Sequence, residues 1–342
     1  MSVVAPVLSV RDLVVHYFTR RGPVQAVDGI SFDLIPGETL GLVGESGCGK
    51  STVGAALLNM PAPPGRIVSG SIRVAGMEAV GMGETELRRR LRWTRIAMVF
   101  QGAMSCLTPV YTIRALMRET LRAHAGGAWA APEAATRRTA AEVEHLLRRS
   151  VDQVGLPAHV LDRYPHELSG GMKQRIVIAM ALFLEPPVVV LDEPTTALDV
   201  IVQAQILNLV KTLKRDRRLS CLFITHDLSI EAEVADRVMV MYAGHIAEVG
   251  TNWQIFSEDG PRHPYTRMLL AATPRLHRRV SELAFIPGVP PDLLDPPRGC
   301  RFAARCPFAR EKCRRDRPPL VEIEERHHVA CFKAAGDAEY ER

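Results

Sequence analysis

The segment GESGCGKS at residues 44–51 constrains the fold of this chain more than any other part of its sequence. It fits the pattern G-x-x-x-x-G-K-[ST], in which glycines allow successive backbone N–H groups to point into one space. An apolar, strand-like run precedes the segment, and residues 52–60 favour a helix that ends at PAPPG. A helix N-terminus beside inward-facing amides binds phosphate groups. The sequence therefore predicts a strand, a loop and a helix arranged around a polyphosphate.

Two side chains of this loop carry specific chemistry. Lys50 is placed to reach the β- and γ-phosphates, and the hydroxyl of Ser51 is a ligand for Mg²⁺. A chance glycine-rich turn is the alternative, but the strand before it and the helix after it argue against that. Cys48 is either a small filler or a thiol whose alkylation blocks the site. The residues predicted to surround the phosphates are Gly44, Glu45, Ser46, Gly47, Cys48, Gly49, Lys50, Ser51 and Thr52.

A phosphate site of this kind needs an acidic residue at the end of a second apolar strand, and VVVLDEP at residues 188–194 supplies it. Asp192 is predicted to hold Mg²⁺ through its water shell, and Glu193 to polarise an attacking water. The alternative is a solvated strand edge with no chemical role. Because the phosphate loop is also present, the catalytic interpretation is favoured.

The pattern of apolar residues predicts an α/β protein. Apolar positions alternate in strand fashion from Leu8 to Leu34, before the turn at Pro36-Gly37. Residues 112–164 favour helices, with a loop at Gly126-Gly127. After residue 176, helices alternate with short apolar strands, which is typical of a parallel sheet. The further predicted strands are at residues 71–74, 95–100, 188–191 and 221–225.

Composition narrows the class of protein only slightly. The net charge of +5 is mild for a nucleic-acid-binding protein, although it permits an anionic ligand. The longest apolar run, at residues 176–184, is too short to cross a bilayer. The start MSVVAPVLSVRDL lacks the features of a secretory signal, so a cytosolic location is expected. Seven cysteines in that compartment favour metal or redox chemistry over structural disulfides.

The sequence LSGGMKQR at residues 168–175, ahead of VVVLDEP, resembles the signature sequence of ABC ATPases. Other positions resemble family elements in the expected order. Tyr17 resembles the aromatic residue that stacks on adenine, Gln101 the glutamine of the Q-loop, and His226 the switch histidine. TALD at residues 196–199 resembles the D-loop, which ends at Asp199. From the residues alone, Tyr17 could equally be a strand aromatic, Gln101 a surface residue, and His226 a structural histidine.

The resemblance implies the P-loop NTPase fold of ABC ATPases, with a RecA-like α/β core, an N-terminal antiparallel β subdomain and a helical subdomain. It also implies that Ser169, Gly170 and Gly171 cover ATP held by the opposite subunit, whereas an ordinary helix cap by Ser169 is the alternative. One chain then builds half of two composite sites and needs a second ATPase subunit. The implied reaction is attack of water on the γ-phosphate, with Glu193 as general base and Lys50 and Mg²⁺ neutralising charge.

The C-terminal part resembles the ATPase subunits of dipeptide and oligopeptide importers, whose relatives include nickel importers. The resemblance rests on MYAGHIAEVG, PRHPYTRMLLAATP, IPGVPP and RGCRFAARCPFAREKC. We expect an ABC ATPase domain at residues 1–258, with its helical subdomain at about 103–166, and a C-terminal Cys-rich extension at 259–342. Gly102 departs from this group, which commonly has an acidic residue after the Q-loop glutamine.

The C-terminal extension carries a four-cysteine pattern: Cys300, Cys306, Cys313 and Cys331 are separated by five, six and seventeen residues. Four thiolates can hold a [4Fe–4S] cluster or zinc. Since members of the resembled group can carry such a cluster here, [4Fe–4S] is favoured over zinc or free thiols. His327 and His328 are possible zinc ligands, but are expected to be ordinary polar residues.

The resemblance implies an importer complex with a second, related ATPase, two permease subunits and an extracytoplasmic substrate-binding protein. The chain would then lie at the cytoplasmic face of the inner membrane as a peripheral subunit, with no nucleic-acid partner. Import of nickel or another small solute, driven by the same ATPase, is the alternative. A soluble ABC ATPase acting on nucleic acid or ribosomes usually needs tandem cassettes or a coiled-coil insert, and a pure interaction module would be expected to lack Glu193.

Overall fold

The strands of the chain form two sheets in the computed structural model, which describes residues 4–124, 139–273 and 285–337. The smaller sheet has the order β2-β1-β4-β5, and the larger has the order β11-β12-β10-β9-β3-β8-β7-β6. The strands are β1 (Leu8–Thr19), β2 (Gly22–Leu34), β3 (Thr39–Val43), β4 (Gly65–Val74), β5 (Met77–Glu78), β6 (Ile96–Val99), β7 (Val188–Asp192), β8 (Ser220–Ile224), β9 (Arg237–Tyr242), β10 (His245–Thr251), β11 (Val321–Glu324) and β12 (His327–Val329).

Helices cover the larger sheet and form a separate group beside it. Short 3-10 and π turns lie between several of them. The α-helices are α1 (Lys50–Leu57), α2 (Glu84–Glu86), α3 (Ile113–His124), α4 (Ala140–Gln153), α5 (Gly170–Leu182), α6 (Val200–Arg217), α7 (Leu228–Val234), α8 (Asn252–Phe256), α9 (Pro264–Ala271) and α10 (Glu311–Arg315).

The smaller sheet is antiparallel, as the family resemblance implies, and its first two strands lie where the alternation of apolar residues predicted strands. β1 pairs with both β2 and β4, so that Leu8 faces Leu34 on one side and Val74 on the other. The register shifts between Val10 and Leu13, which keeps the side chains of both residues on the buried face of the strand. This face packs on α1 and on the apolar side of the larger sheet in one continuous core.

The centre of the larger sheet is parallel, because β3 pairs in parallel with β8 and β9, and β7 pairs in parallel with β8 and β6. The residues of β3, β7 and β8 are buried throughout. A parallel strand covered on both faces requires such a continuous apolar run. The strands predicted from VVVL at residues 188–191 and CLFIT at 221–225 are confirmed, although the second begins at Ser220 and ends at Ile224. The order places the carboxyl ends of β3, β8 and β7 side by side.

The first helix differs from its predicted bounds. It begins at Lys50 and ends at Leu57, because Gly49 has a left-handed conformation that starts the helix directly from the glycine loop. The amide of Leu58 closes the last turn on Ala55. The glycine loop is therefore joined to the helix without a spacer, which points the free N–H groups of its first turn toward the loop.

Residues 112–164 contain α3 and α4, as predicted, and their apolar faces pack with α5 and α6 in a second core. Thr139 begins α4 with a capping box: its side chain accepts from the amide of Glu142, and Glu142 bonds back to the amide of Thr139. The predicted loop at Gly126-Gly127 lies outside the described residues.

The C-terminal segment joins the larger sheet through β12, which pairs antiparallel with β10. Around this junction, Tyr242, Tyr265 and Phe302 pack in a third core. The boundary between residues 258 and 259 stays a prediction. Among the described residues, no helix combines the length and the apolar character needed to cross a bilayer.

Candidate active site

The glycine loop between β3 and α1 has a backbone path that side chains would obstruct. Gly44 has a φ of 153° and Gly49 a φ of 108°. A Cβ atom on Gly44 would lie 2.1 Å from the carbonyl oxygen of Met241, and one on Gly49 would lie 2.4 Å from that of Ala26. Ser46 and Gly47 are exposed at the mouth of the loop. The two glycines are therefore required by the close approach of neighbouring backbone.

Lys50 holds the loop in a curl. Its Nζ donates to the carbonyl oxygen of Gly44 at 2.8 Å and to that of Glu45 at 3.1 Å. The side chain is buried, so its charge acts in an environment of low dielectric. Beside it, burial raises the pKa of the Cys48 thiol, although the charge of Lys50 opposes the shift. The loop thus concentrates one positive charge and several backbone amides in one space.

The predicted acidic end of β7 lies directly across from this loop. The hydroxyl of Ser51 donates to Oδ1 of Asp192 at 3.2 Å. Burial raises the pKa of Asp192, and the neighbouring charge of Glu193 adds to the shift. An exposed hydroxyl and a buried carboxylate that favours a nearby cation are a suitable donor set for Mg²⁺.

Glu193 has a strained backbone, with a φ of 48°, which is unusual for a residue other than glycine and costs about 1 kcal/mol or more. Its amide donates to the carbonyl oxygen of Ile224 at 2.8 Å, which fixes the residue to the end of β8. Such strain is retained where the surrounding structure enforces it, and it is concentrated at active sites. The strained turn fixes the position of the carboxylate beyond the strand end.

Three side chains converge on the Glu193 carboxylate. Nε2 of Gln101 donates to Oε2 at 2.7 Å, the hydroxyl of Thr196 donates to Oε2 at 2.9 Å, and Nδ1 of His226 lies 3.0 Å from Oε1. Burial opposes ionisation of Glu193, but the hydrogen bonds from His226 and Thr196 outweigh it and lower the pKa of the carboxyl. At neutral pH the group is therefore an anion that can accept a proton.

The convergence follows from the topology. The loop follows β3, Asp192 ends β7, and His226 lies two residues after the end of β8. Adjacent parallel strands bring their carboxyl ends to one edge of a sheet, and ligands of open α/β sheets bind at that edge. Gln101 reaches the same edge just after β6. The structure thus brings together the residues that the sequence predicted for phosphate and water chemistry.

Tyr17 lies on β1 next to the glycine loop. Its hydroxyl is 3.2 Å from the hydroxyl of Thr52 in α1. Its ring also contacts the backbone near Gly65, where an added Cβ would lie 2.9 Å from the ring. The residue is half-buried. Its role toward a base stays a prediction.

The LSGG segment begins α5 with a helix cap, because the hydroxyl oxygen of Ser169 accepts from the amide of Met172 at 3.3 Å. Ser169 and Gly170 are exposed, whereas Gly171 packs closely on Val202 of α6. Asp199 caps α6 by accepting from the amide of Val202 at 3.0 Å. None of these contacts joins the segment to the glycine loop, and both capping residues, Ser169 and Asp199, are exposed.

Gly102, the departure after the Q-loop glutamine, has a φ of 68°, and an added Cβ would meet no atom within 4 Å. This left-handed conformation favours glycine, although the space around it is open. The chain therefore turns sharply after Gln101.

The four C-terminal cysteines line one cavity of about 20 Å³. No disulfide joins these four described cysteines, and the amide of Cys300 donates to the carbonyl oxygen of Cys313 at 2.7 Å. Burial raises the pKa of Cys300 to about 12, and the charges of the other three thiolates contribute. Across residues 4–124, 139–273 and 285–337, however, no group of three or more His, Cys, Asp or Glu side chains is arranged to hold a metal ion. His327 is buried and bonds instead to Glu248, at 2.7 Å.

Sequence analysis assigned no role to three residues that the structure places at the site. Thr196 lies in the TALD segment but had no assigned role, whereas Tyr265 and Arg305 contact Glu45 of the glycine loop from the C-terminal segment. PRHPYT and the cysteine pattern mark the segments that carry Tyr265 and Arg305. Nothing in the sequence indicates which part of the fold they contact.

Comparison with known proteins gives matches over nearly the whole chain. Residues 27–196 match the ABC transporter family, and residues 247–313 match the oligopeptide/dipeptide transporter C-terminal region. The dipeptide transport ATP-binding protein DppD of Bacillus subtilis (strain 168) is 44% identical over 335 residues, covering 98% of this chain and 96% of that protein. The oligopeptide transport ATP-binding protein OppD of the same strain is 43% identical, covering 98% and 91%. DppD of Escherichia coli (strain K12) is 40% identical, covering 97% and 98%.

Solved structures agree on the fold. The dimeric post-hydrolysis structure of the ATP-binding cassette MJ0796, bound to ADP and Pi, has a TM-score of 0.60 and 22% identity, covering 72% of this chain and 98% of that one. The structure of cbiO1 from Clostridium perfringens has a TM-score of 0.61 and 24% identity, covering 75% and 92%. At these identities the likeness shows the ABC ATPase fold alone. Together with the sequence matches, it establishes that this chain belongs to the ABC transporter family, among the ATP-binding proteins with an oligopeptide/dipeptide transporter C-terminal region.

Proposed function

We propose that this chain is the ATP-hydrolysing subunit of an importer for dipeptides or oligopeptides. The observation that carries the proposal is the Glu193 carboxylate, ionised and held by Gln101, Thr196 and His226 at the sheet edge that also carries the Lys50 loop. Relatives at 40–44% identity are named as dipeptide or oligopeptide transport ATP-binding proteins.

In this proposal the phosphates of ATP occupy the loop of residues 44–51, and Tyr17 provides a flat face for the adenine. Lys50 exchanges its bonds to the loop carbonyls for bonds to the β- and γ-phosphates. Ser51, Asp192 and Gln101 would hold Mg²⁺, which when bound neutralises charge on the phosphates. The donor set of a hydroxyl, a carboxylate and an amide oxygen suits this hard cation.

Hydrolysis follows from the position of Glu193. Its carboxylate accepts a proton from water as the water attacks the γ-phosphorus in line with the leaving oxygen. His226 orients the carboxylate and contacts the γ-phosphate, and its side chain is accessible for this purpose, with 63% of its surface exposed. Thr196 donates a hydrogen bond to Oε2 of Glu193, so Oε1 is oriented by His226.

The exposed caps support the need for a second ATPase subunit. Ser169, Gly170 and Asp199 are exposed, and the apolar Val200 and Ile201 are 79% and 72% exposed beside Asp199. In the proposed assembly this surface seals ATP on a related partner subunit. The pair binds two permease subunits at the cytoplasmic face of the inner membrane, and an extracytoplasmic protein delivers the peptide.

We further propose that the four cysteines hold a [4Fe–4S] cluster. Cysteine thiolates are the usual ligands of such a cluster. The four thiols line one cavity, which supports a shared metal centre for these cysteines. The engagement of His327 by Glu248 also disfavours a zinc site that uses this histidine.

The domain limits are proposals in the same sense. Residues 1–258 would form the ATPase domain, with the helical subdomain at about 103–166, and residues 259–342 the extension. The packing of α3 and α4 in a core distinct from that of β1 and β2 supports the helical subdomain.

Uptake assays in a strain that lacks the gene test the proposed cargo. We expect loss of labelled dipeptide and oligopeptide uptake, restored by the wild-type gene but not by Glu193→Gln. Loss of nickel uptake alone would favour the second candidate, an importer of nickel or another small solute. Unchanged uptake of both, together with salt-sensitive binding of nucleic acid by the purified protein, would contradict transport altogether.

A further inference from the structure

The second residue of the glycine loop is held by the C-terminal segment. Nη1 of Arg305 donates to Oε2 of Glu45 at 2.7 Å, and Nη2 donates to Oε1 at 2.9 Å. This is a two-pronged guanidinium–carboxylate pair, which fixes orientation as well as charge. The Arg305 side chain is only 5% exposed, so water screens the pair weakly.

Arg305 is itself fixed by its other donors. Nε donates to the carbonyl oxygen of Pro287 at 2.9 Å, Nη2 also donates to that of Ile286 at 3.2 Å, and Nη1 also donates to the hydroxyl of Tyr242 at 3.2 Å. With the two bonds to Glu45, these contacts engage all five N–H groups of the guanidinium. A side chain held in this way acts as a rigid support for the carboxylate.

The backbone of the loop is held from the same side. The amide of Glu45 donates to the hydroxyl oxygen of Tyr265 at 2.9 Å. The ring of Tyr265 is buried and packs against Tyr242, with ring centroids 4.6 Å apart, and against Phe302 at 5.4 Å. Both the side chain and the main chain of Glu45 therefore depend on residues outside the domain that carries the loop.

The turn that carries Arg305 also borders the cysteine cavity. Arg305 ends a 3-10 turn at Ala303–Arg305, and Cys306 follows it directly. Arg305 faces the glycine loop, whereas Cys306 and Phe302 line the cavity of the four cysteines. The same short turn thus connects the cysteine cavity to the glycine loop.

We propose that the C-terminal segment sets the affinity for nucleotide by holding the glycine loop in its phosphate-ready shape, with Arg305 as the positioning residue. This inference rests on the proposed binding of ATP at residues 44–51. Arg305 has two effects in this arrangement. It fixes the loop before nucleotide arrives, and it neutralises the Glu45 carboxylate beside a site that must accept an anion.

The variants Arg305→Gln, Arg305→Lys and Glu45→Gln, and the double variant of Arg305→Gln with Glu45→Gln, test this proposal. We expect Arg305→Gln to raise the Kd for a fluorescent ATP analogue, and the KM for ATP, by about 10-fold, the size expected for one charge-assisted pair. Arg305→Lys keeps the positive charge but loses the two-pronged geometry of the guanidinium, so we expect a smaller increase in Kd than for Arg305→Gln. The kcat of the two Arg305 single variants stays within about twofold of wild type, because Glu193 and its partners are untouched.

The double variant distinguishes an effect of the Arg305–Glu45 pair on nucleotide binding from a general destabilisation of the protein. Removing the Glu45 charge in the Arg305→Gln background eliminates an unpaired, half-buried carboxylate, so the double variant binds the analogue at least as tightly as Arg305→Gln alone. Arg317→Gln is the matched control, since Arg317 also joins the C-terminal segment to the ATPase part, but at Asp28. We expect Arg317→Gln to keep the wild-type Kd for the analogue.

Tyr265→Phe gives an independent measurement if Arg305→Gln fails to fold, because it removes only one hydroxyl. We expect a Kd raised about threefold or more, the loss of one hydrogen bond. A wild-type Kd in Tyr265→Phe and in every folded Arg305 variant would overturn the proposal. Failure of the wild-type protein to bind the analogue would instead contradict the proposed function on which the inference rests.

Discussion

Nδ1 of His226 lies 3.0 Å from Oε1 of Glu193, across the gap between the carboxyl ends of β8 and β7. Each residue lies just beyond the end of its strand, so this contact links β7 and β8 through the segments that follow them. The hydrogen bond lowers the pKa of the Glu193 carboxyl, whereas burial raises it. The pair places an ionised carboxylate, with a defined orientation, at the edge where the glycine loop opens. Removing the Glu193 carboxylate is therefore the most specific way to separate nucleotide binding from ATP hydrolysis.

Glu193→Gln should slow ATP hydrolysis by about 10² to 10⁴, the range for losing one acid–base group. ATP binding should survive, because Lys50 and the loop amides are unaffected and glutamine keeps the size of the side chain. The measurement is steady-state ATPase activity alongside nucleotide affinity. Glu185→Gln is the control, since this exposed carboxylate pairs with Arg217 away from the loop. Turnover near wild type in Glu193→Gln would show that the role given to Glu193 is wrong.

Alkylation of Cys48 should block nucleotide binding, and ATP should protect the thiol. Because burial raises the pKa of Cys48, its thiolate is scarce at neutral pH, so the modification rate should keep rising with pH. The experiment uses Cys106→Ser as background, because Cys106 is exposed and would react first. A Cys48→Ser variant that loses nucleotide binding equally fast under alkylation would refute the assignment.

Stability should fall as the pH drops from about 6.5 toward 4, partly through His263. Burial lowers the pKa of His263 to about 4, so the folded protein keeps it neutral while the unfolded chain takes up a proton below about 6.5. The unfolded state binds more protons in this window, so the free energy of unfolding decreases as the pH falls. For this one residue the loss is roughly 2 kcal/mol at about pH 4.5.

His263→Asn is the comparison for this effect, because asparagine can still accept from the amide of Tyr265 but does not titrate. Urea unfolding at about pH 7 and about pH 4.5 should show a smaller decrease in the variant. An identical pH dependence in both proteins would remove His263 as a source. His245, whose pKa burial also lowers to about 4, contributes in the same direction in both.

Anaerobic purification tests the proposed cluster. The protein should be brown, with broad visible absorption and nearly equal amounts of iron and sulfide. Cys306→Ser should lose most of this absorption, whereas Cys221→Ser, a buried cysteine of β8, should keep it. A colourless anaerobic preparation that contains zinc would contradict the cluster and favour the alternative metal.

Much of the site could be predicted from sequence, because local rules and topology determine it. A glycine loop between a strand and a helix, and acidic residues ending a buried strand, place Lys50 and Asp192 at one sheet edge. The bounds of α1 were predicted less well, since the left-handed Gly49 starts the helix inside the loop rather than after it.

Contacts of the C-terminal segment could not be predicted in this way. Arg305 and Glu45 are 260 residues apart, and no periodicity or motif spacing relates them. Their pairing depends on how β12 docks on β10 and on how the three aromatic rings pack, both of which are tertiary. The positive φ of Glu193 is a further example, because the amide of this residue bonds to Ile224 on another strand.

Calorimetric titration of Mg²⁺–ATP into the wild-type protein and Lys50→Ala tests the central claim most directly, namely that the loop of residues 44–51 receives the phosphates of ATP. We expect one binding site per chain in the wild type and a loss of affinity of at least about 10-fold in Lys50→Ala, since a buried charge facing the phosphates is removed. Equal affinity in the two proteins, or no binding of ATP by the wild type, would contradict it.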